Sequence, residues 1–212
     1  MSFMIKRIFS FYSLPLRILT SPIKGFYEMK FENRGTIRLA VINFVLLGIS
    51  LAFMNQYASI LVNDRHPLAM NSLWDFGQAT IMLILFCASN WAVTSLTDGE
   101  GKFKEIFMAI CYAMTPLVLM LIPATMLSNI LSAQETAFFH LLISFATIWF
   151  VTLVFVGLIV IHNYTVLKAI RTVFLTFIAL LIIVFLITLI FTLLQQLYVF
   201  IWSLYREISF RT

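Results

Sequence analysis

Charge is what this sequence has least of. Of its 212 residues, 11% are Asp, Glu, Lys or Arg and 62% are hydrophobic, against about 25% charged and about 45–50% apolar in an ordinary globular chain. Nine acids and fourteen bases cannot cover the surface of a water-soluble domain. Cytosolic enzymes and disordered chains are thereby excluded. Cysteine is nearly as scarce. Cys87 and Cys111 are the whole complement, which rules out a disulfide scaffold and any paired-Cys zinc motif. Both fall in apolar runs and read as buried thiols that pack like small apolar residues.

Catalytic patterns are missing too. The chain has no His-Glu-x-x-His or paired-Glu motif, no Gly-x-Ser-Gly nucleophile turn and no Walker-type phosphate loop. Intramembrane metal-dependent and serine hydrolysis and nucleotide hydrolysis therefore lack their residues. The apolar run after Lys6-Arg7 is interrupted by Ser10, Ser13, Pro15 and Arg17, so it does not read as a cleavable signal. No cofactor, no metal site and no nucleic-acid partner is expected.

What the sequence does have is long apolar runs. A bilayer core of about 30 Å takes roughly 20 apolar residues in helix. Five stretches qualify: Ile37–Tyr57, Phe76–Leu96, Ile106–Ile130, Phe138–Ile161 and Thr172–Trp202. The fifth, at about 45 Å, is long enough to tilt strongly or to leave the lipid. The expected fold is an all-α polytopic membrane protein with five transmembrane helices. Its parts are an amphipathic cytoplasmic segment over 1–35, the membrane domain over 36–202 and an extracytoplasmic tail over 203–212. Eleven Lys and Arg flank the spans on one side, including Lys102, Lys104, Lys168 and Arg171, and three on the other, Arg65, Arg206 and Arg211. Positive charge stays inside. This places the amino terminus in the cytoplasm, the carboxyl terminus outside, and the chain in the cell membrane.

Before the first span, Ser2, Lys6, Ser10, Ser13, Arg17 and Thr20 recur at spacings of three and four, a polar stripe on an otherwise apolar wheel. Such a helix, kinked at Pro15, suits the headgroup layer, with Lys6, Arg7, Arg17 and Lys24 facing anionic lipid, or else packs on the protein's own cytoplasmic surface. A second short helix is expected from Ser21 as N-cap and Pro22 at its first position, ending by Gly35. On it Phe26, Tyr27, Met29 and Phe31 leave Lys24, Glu28 and Lys30 to water.

Polar groups at membrane depth are costly unless bonded, so their positions carry information. Asn90 in the second span is expected to bond to a neighbouring helix. In the third, Ala109 and Ala113 form a small-residue face for close helix approach. Pro116 and Pro123 each free a carbonyl, and together with Tyr112 they suggest a pocket at a twice-kinked helix. His140 and His162-Asn163-Tyr164 read as headgroup-level residues at the two ends of the fourth span. Asp98-Gly99-Glu100-Gly101 is a tight turn with too few ligands for calcium. Gln195 and Gln196 are expected to break the fifth span, after which an aromatic segment lies on the outer surface. No intramembrane ionisable pair and no internal repeat supports a coupled transporter.

The order of an amphipathic head, Ser21-Pro22-Ile23-Lys24-Gly25-Phe26, five spans, a Gly-rich turn after the second and Tyr112-x-x-x-Pro116 in the third resembles the Yip (Ypt-interacting protein) domain family in its bacterial form. That family's third-span signature is Gly-Tyr-x-x-x-Pro. Here Cys111 replaces its Gly, and the Asp-Leu-Tyr-Gly-Pro signature of eukaryotic relatives is absent. The resemblance implies a non-catalytic membrane subunit or scaffold, bound to other integral membrane proteins such as subunits of a sugar ABC importer, or to further copies of itself. Two other readings stay open. One is a lipid-binding or membrane-shaping protein, and the other is a channel or transporter with a cavity at the kinked third helix.

Overall fold

The computed structural model describes residues 13–63 and 71–211. Among the described residues there are eight helices and no strand. Two short ones come first, α1 (Ser13–Thr20) and α2 (Pro22–Lys30). The membrane crossings are α3 (Ile37–Tyr57), α4 (Ser72–Leu96), a broken pair α5 (Phe103–Ala113) and α6 (Thr115–Ser128), then α7 (Thr136–His162) and α8 (Val166–Arg211). All five crossings are long and apolar enough to span a membrane. The protein is therefore a multi-pass all-helical membrane protein.

Packing divides the crossings unequally. α3, α5, α6 and α7 form the core, with α3 against both halves of the broken span and α7 against the same two. α4 and α8 make a second pair, joined to the core mainly where α4 meets α5. The core is sealed by Leu39, Phe44 and Leu47 of α3, Cys111 and Tyr112 of α5, and Leu153 and Leu158 of α7. Both cysteines are free and buried.

The amino-terminal helices are part of this bundle. Leu14 and Ile18 of α1 and Phe26 and Met29 of α2 are buried, α2 lying on α7 and α1 on α5 and α6. Outside the hydrocarbon each such side chain contributes about 1.5–3 kcal/mol relative to water. Gly25 makes the hairpin tight, since a Cβ there would stand 2.8 Å from the Cα of Ile18. The described part of the first helix therefore packs on the protein's own surface, one of the two positions open to it from the sequence. Pro15 falls in the first turn of α1, where its missing N–H costs no bond. Lys6, Arg7 and the rest of that polar stripe up to residue 12 lie outside the described residues.

α2 begins as read, with Pro22 in its first turn, although the Ser21 side chain makes no capping bond. It ends at Lys30, short of Gly35. Glu28 and Lys30 differ from expectation. Glu28 is 3% exposed, and its carboxylate accepts from Arg17 at 2.8 Å and Arg34 at 3.2 Å. Lys30 reaches across to Glu100 and to the carbonyl of Ile161. Both ionic heads are held by partners that a helical wheel of α2 alone does not contain.

α8 differs most. It runs unbroken for 46 residues, about 69 Å at 1.5 Å per residue. Gln195 and Gln196 do not interrupt it, because glutamine is a good helix former and residues 166–211 contain neither Gly nor Pro. Residues 203–211, read as part of a separate tail, are the last part of this helix. At the start of α7, Glu135 accepts from the Ser132 amide and hydroxyl, and these two donors hold its carboxyl below the usual carboxylate range.

Candidate functional site

Two polar clusters sit inside the bundle. The first is at the break in the third span. Pro116 follows the break directly and has no N–H, so the carbonyl of Tyr112 loses its helical partner. The Thr115 hydroxyl donates to that carbonyl instead, at 2.6 Å. One residue earlier, the carbonyl of Cys111 accepts from Asn43 Nδ2 at 2.6 Å, and the same amide lies 3.3 Å from Thr115 Oγ1. Asn43 belongs to α3, so the break is closed by another crossing.

Tyr112 closes it from the other side. Its hydroxyl donates to the Thr36 carbonyl at 2.7 Å and accepts from the Thr36 N–H at 3.0 Å. The ring is fully buried, and this clasp fixes the start of α3 on α5. Replacing Tyr112 with Phe keeps the packing and removes both bonds. Because Thr36 is exposed, water can replace them in part, and the expected loss is about 0.5–1.5 kcal/mol. Faster amide exchange at Thr36, with the rest of α3 unchanged, is the measurement that checks it.

The second cluster joins α4, α7 and α8 to the turn at 98–101. Gly101 N–H donates to His162 Nδ1 at 3.2 Å. With Nδ1 accepting, the ring proton is on Nε2, which faces Asn90 Oδ1 at 3.3 Å. Asn90 Nδ2 donates to Thr176 Oγ1 at 3.1 Å, and that hydroxyl donates onward to the Thr172 carbonyl at 2.8 Å. The result is one directional chain of bonds through four segments. A Cβ on Gly101 would come 2.5 Å from the His162 ring, so only glycine allows this approach. Tyr164 stacks on His162 and bonds Thr97 through its hydroxyl. Lys168 lies over the Tyr164 ring, 4.5 Å from its centre.

Both clusters are closed. Among the described residues no buried side-chain polar atom lacks a partner, and no cluster of His, Cys, Asp and Glu could hold a metal ion. The arrangement fastens helices together.

The family model of the Yip1 domain matches residues 16–189. The chain belongs to the Yip1 domain family. No curated protein and no solved structure matches it. In this Yip1-domain protein the Tyr112-x-x-x-Pro116 signature is the break itself. Pro116 ends the hydrogen-bond ladder, and Tyr112 clasps the neighbouring crossing across the gap. The domain match ends within α8, so the last part of that helix lies beyond it.

The other residues singled out in the sequence fall as follows. Asn90 is fully buried and bonded inside the Yip1 bundle. Ala109 and Ala113 are also buried, their small faces used within the chain. Pro123 lies inside α6 and is exposed, whereas Pro116 is buried, so the two prolines do not share a wall. An open groove of about 570 Å³ runs instead between α3 and α4, beside Leu51, Met54, Asp75 and Ala79. Arg17 is held by Glu28, and Lys24 is exposed. His162, read as a headgroup-level residue, is 2% exposed and part of the bonded chain, while His140 is exposed.

Sequence reasoning missed Asn43, the partner of the break. The signal was present: Asn43 is an amide with only apolar residues on either side of it in its crossing, the same kind of signal that drew attention to Asn90.

Proposed function

We propose that this Yip1-domain protein is a non-catalytic scaffold of the cell membrane, with its amino terminus in the cytoplasm, that binds other integral membrane proteins through its lateral surface. The observation that carries the reading is the closed interior. Every buried polar side chain among the described residues is satisfied within the chain, which leaves the outward apolar faces to make contacts. On α4 these include Ile81, Ile84 and Trp91. Helices in lipid associate by close packing of such faces. Subunits of a sugar ABC importer are the partners that the bacterial resemblance favours.

The test is gentle extraction from native membranes into nanodiscs, followed by mass spectrometry of the retained proteins. A stoichiometric set of transporter subunits is expected, reduced by Ile84→Ala with Trp91→Ala. A preparation that carries only lipid and copies of this chain would overturn the reading.

One observation favours lipid as a second partner. Ile23, Tyr27 and Phe31 form an exposed apolar stripe on α2 beside Lys24, a pattern suited to the headgroup boundary. Lys24→Glu would then lower the anionic lipid retained in the same nanodiscs.

A further inference from the structure

The His162 ring is held from both edges in its neutral form. Nδ1 accepts the Gly101 N–H and so carries no proton, while Nε2 faces Asn90 Oδ1 and carries the ring's one proton. The edge that meets the turn is packed to contact, since a Cβ on either Gly99 or Gly101 would stand 2.8 Å from Nδ1. Tyr164 covers one face of the ring, centre to centre 5.3 Å. His162 and Gly101 are both buried. Water therefore cannot replace either partner unless the turn moves away.

A second proton turns this bond into an opposition of donors. Imidazolium has an N–H at both positions and no acceptor, so it would aim one N–H at the N–H of Gly101. The surrounding charges do not relieve the conflict. Lys30 of α2 and Glu100 of the turn act on the ring most directly. Lys30 bonds the neighbouring Ile161 carbonyl at 2.6 Å and repels an imidazolium, whereas Glu100, which attracts one, is 56% exposed and already paired with Lys30. Asp98 and Lys102 of the turn are exposed. α4 meets the ring with the neutral Asn90, and Lys168 of α8 adds a further positive charge beyond Tyr164.

We propose that His162 is an acid-sensitive latch: a proton at Nδ1 expels the Gly101 N–H and releases the 98–101 turn, and with it the adjoining end of α4, from α7. The sign follows from counting protons. The closed joint holds the ring with one proton, and the opened joint lets it take a second, as an imidazole in water does near pH 6.5. Closure therefore weakens as pH falls, by up to about tenfold in equilibrium constant per pH unit for a single proton. The inference stands on the bonded chain itself and is independent of the scaffold reading.

Amide exchange of the full chain in nanodiscs tests it, with each rate divided by its intrinsic value at that pH. Between about pH 8 and about pH 4, protection at Gly101 should fall by about tenfold or more. The Thr36 amide, held by the Tyr112 clasp, should keep its protection over the same range. Glu100→Gln should retain the acid response, and His162→Gln, which has no titrating group at that position, should abolish it. If His162→Gln does not fold, the Thr36 and Glu100→Gln comparisons decide alone. Unchanged protection at Gly101, an equal loss at Thr36, loss of the response in Glu100→Gln or its persistence in folded His162→Gln would each overturn the proposal.

Discussion

Replacing Asn90 with leucine is expected to loosen the joint between the α4–α8 pair and the rest of the protein. The change takes the acceptor away from His162 Nε2–H and the donor from Thr176. His162 is 2% exposed, so water cannot restore the lost bond without opening the structure. A stranded buried donor costs about 1–3 kcal/mol, near the upper end of what interhelical hydrogen bonds in membranes are worth. The thermal midpoint of the purified protein should fall. Solvent access should rise at the 98–101 turn and at Thr176 but not at the Tyr112 clasp. Combining Asn90→Leu with His162→Leu removes both partners and should recover part of the loss, with a coupling of about 0.5 kcal/mol or more in a double-mutant cycle. Independent, additive losses would show that the two side chains do not act as a pair.

A larger effect is expected from Arg17→Ala combined with Arg34→Ala. The two guanidinium groups are half-exposed, but the Glu28 side chain they hold is only 4% exposed. Either arginine alone is a modest loss, because the other still faces the carboxylate. Without both, a buried charge is left uncompensated, a situation that costs about 3–5 kcal/mol. The chain has an easy way to escape it, which is to lift α2 from α7 and let water reach Glu28. The expected result is rapid tryptic cleavage at Lys24 and Lys30 with the five crossings still assembled. Adding Glu28→Met to the double variant removes the stranded charge and should largely restore protection. Continued protection without that third change would mean that Phe26 and Met29 hold α2 by packing alone.

How much of this was legible from the sequence depended on whether a residue's partner lay nearby in the chain. The five crossings were legible because hydrocarbon thickness imposes a length and the charges mark the ends. The break at Pro116 was legible because a missing N–H is a property of the residue itself. Asn43 and Asn90 were each visible as an amide at depth, but neither names its partner; the Cys111 carbonyl and His162 are 68 and 72 positions away. Glu28 was assigned to water because a carboxylate on a surface helix belongs there by default, and only the folded hairpin brings Arg17 to it. Ala109 and Ala113 mark a close approach, yet small residues do not say whether the approaching helix is in the same chain. α8 was expected to break at Gln195 and Gln196, where polarity suggested an interruption that the backbone has no reason to make.

The break between α5 and α6 also bears on how the protein enters the membrane. At 11 and 14 residues, neither half can cross alone, since they reach only about 16 and 21 Å. At the joint, the carbonyl of Cys111 takes its shortest hydrogen bond from Asn43 of α3. The third crossing thus completes its hydrogen bonding at the joint only with the first beside it in the bilayer. The first crossing precedes the third in the chain, so the group that closes the joint is made before the joint itself.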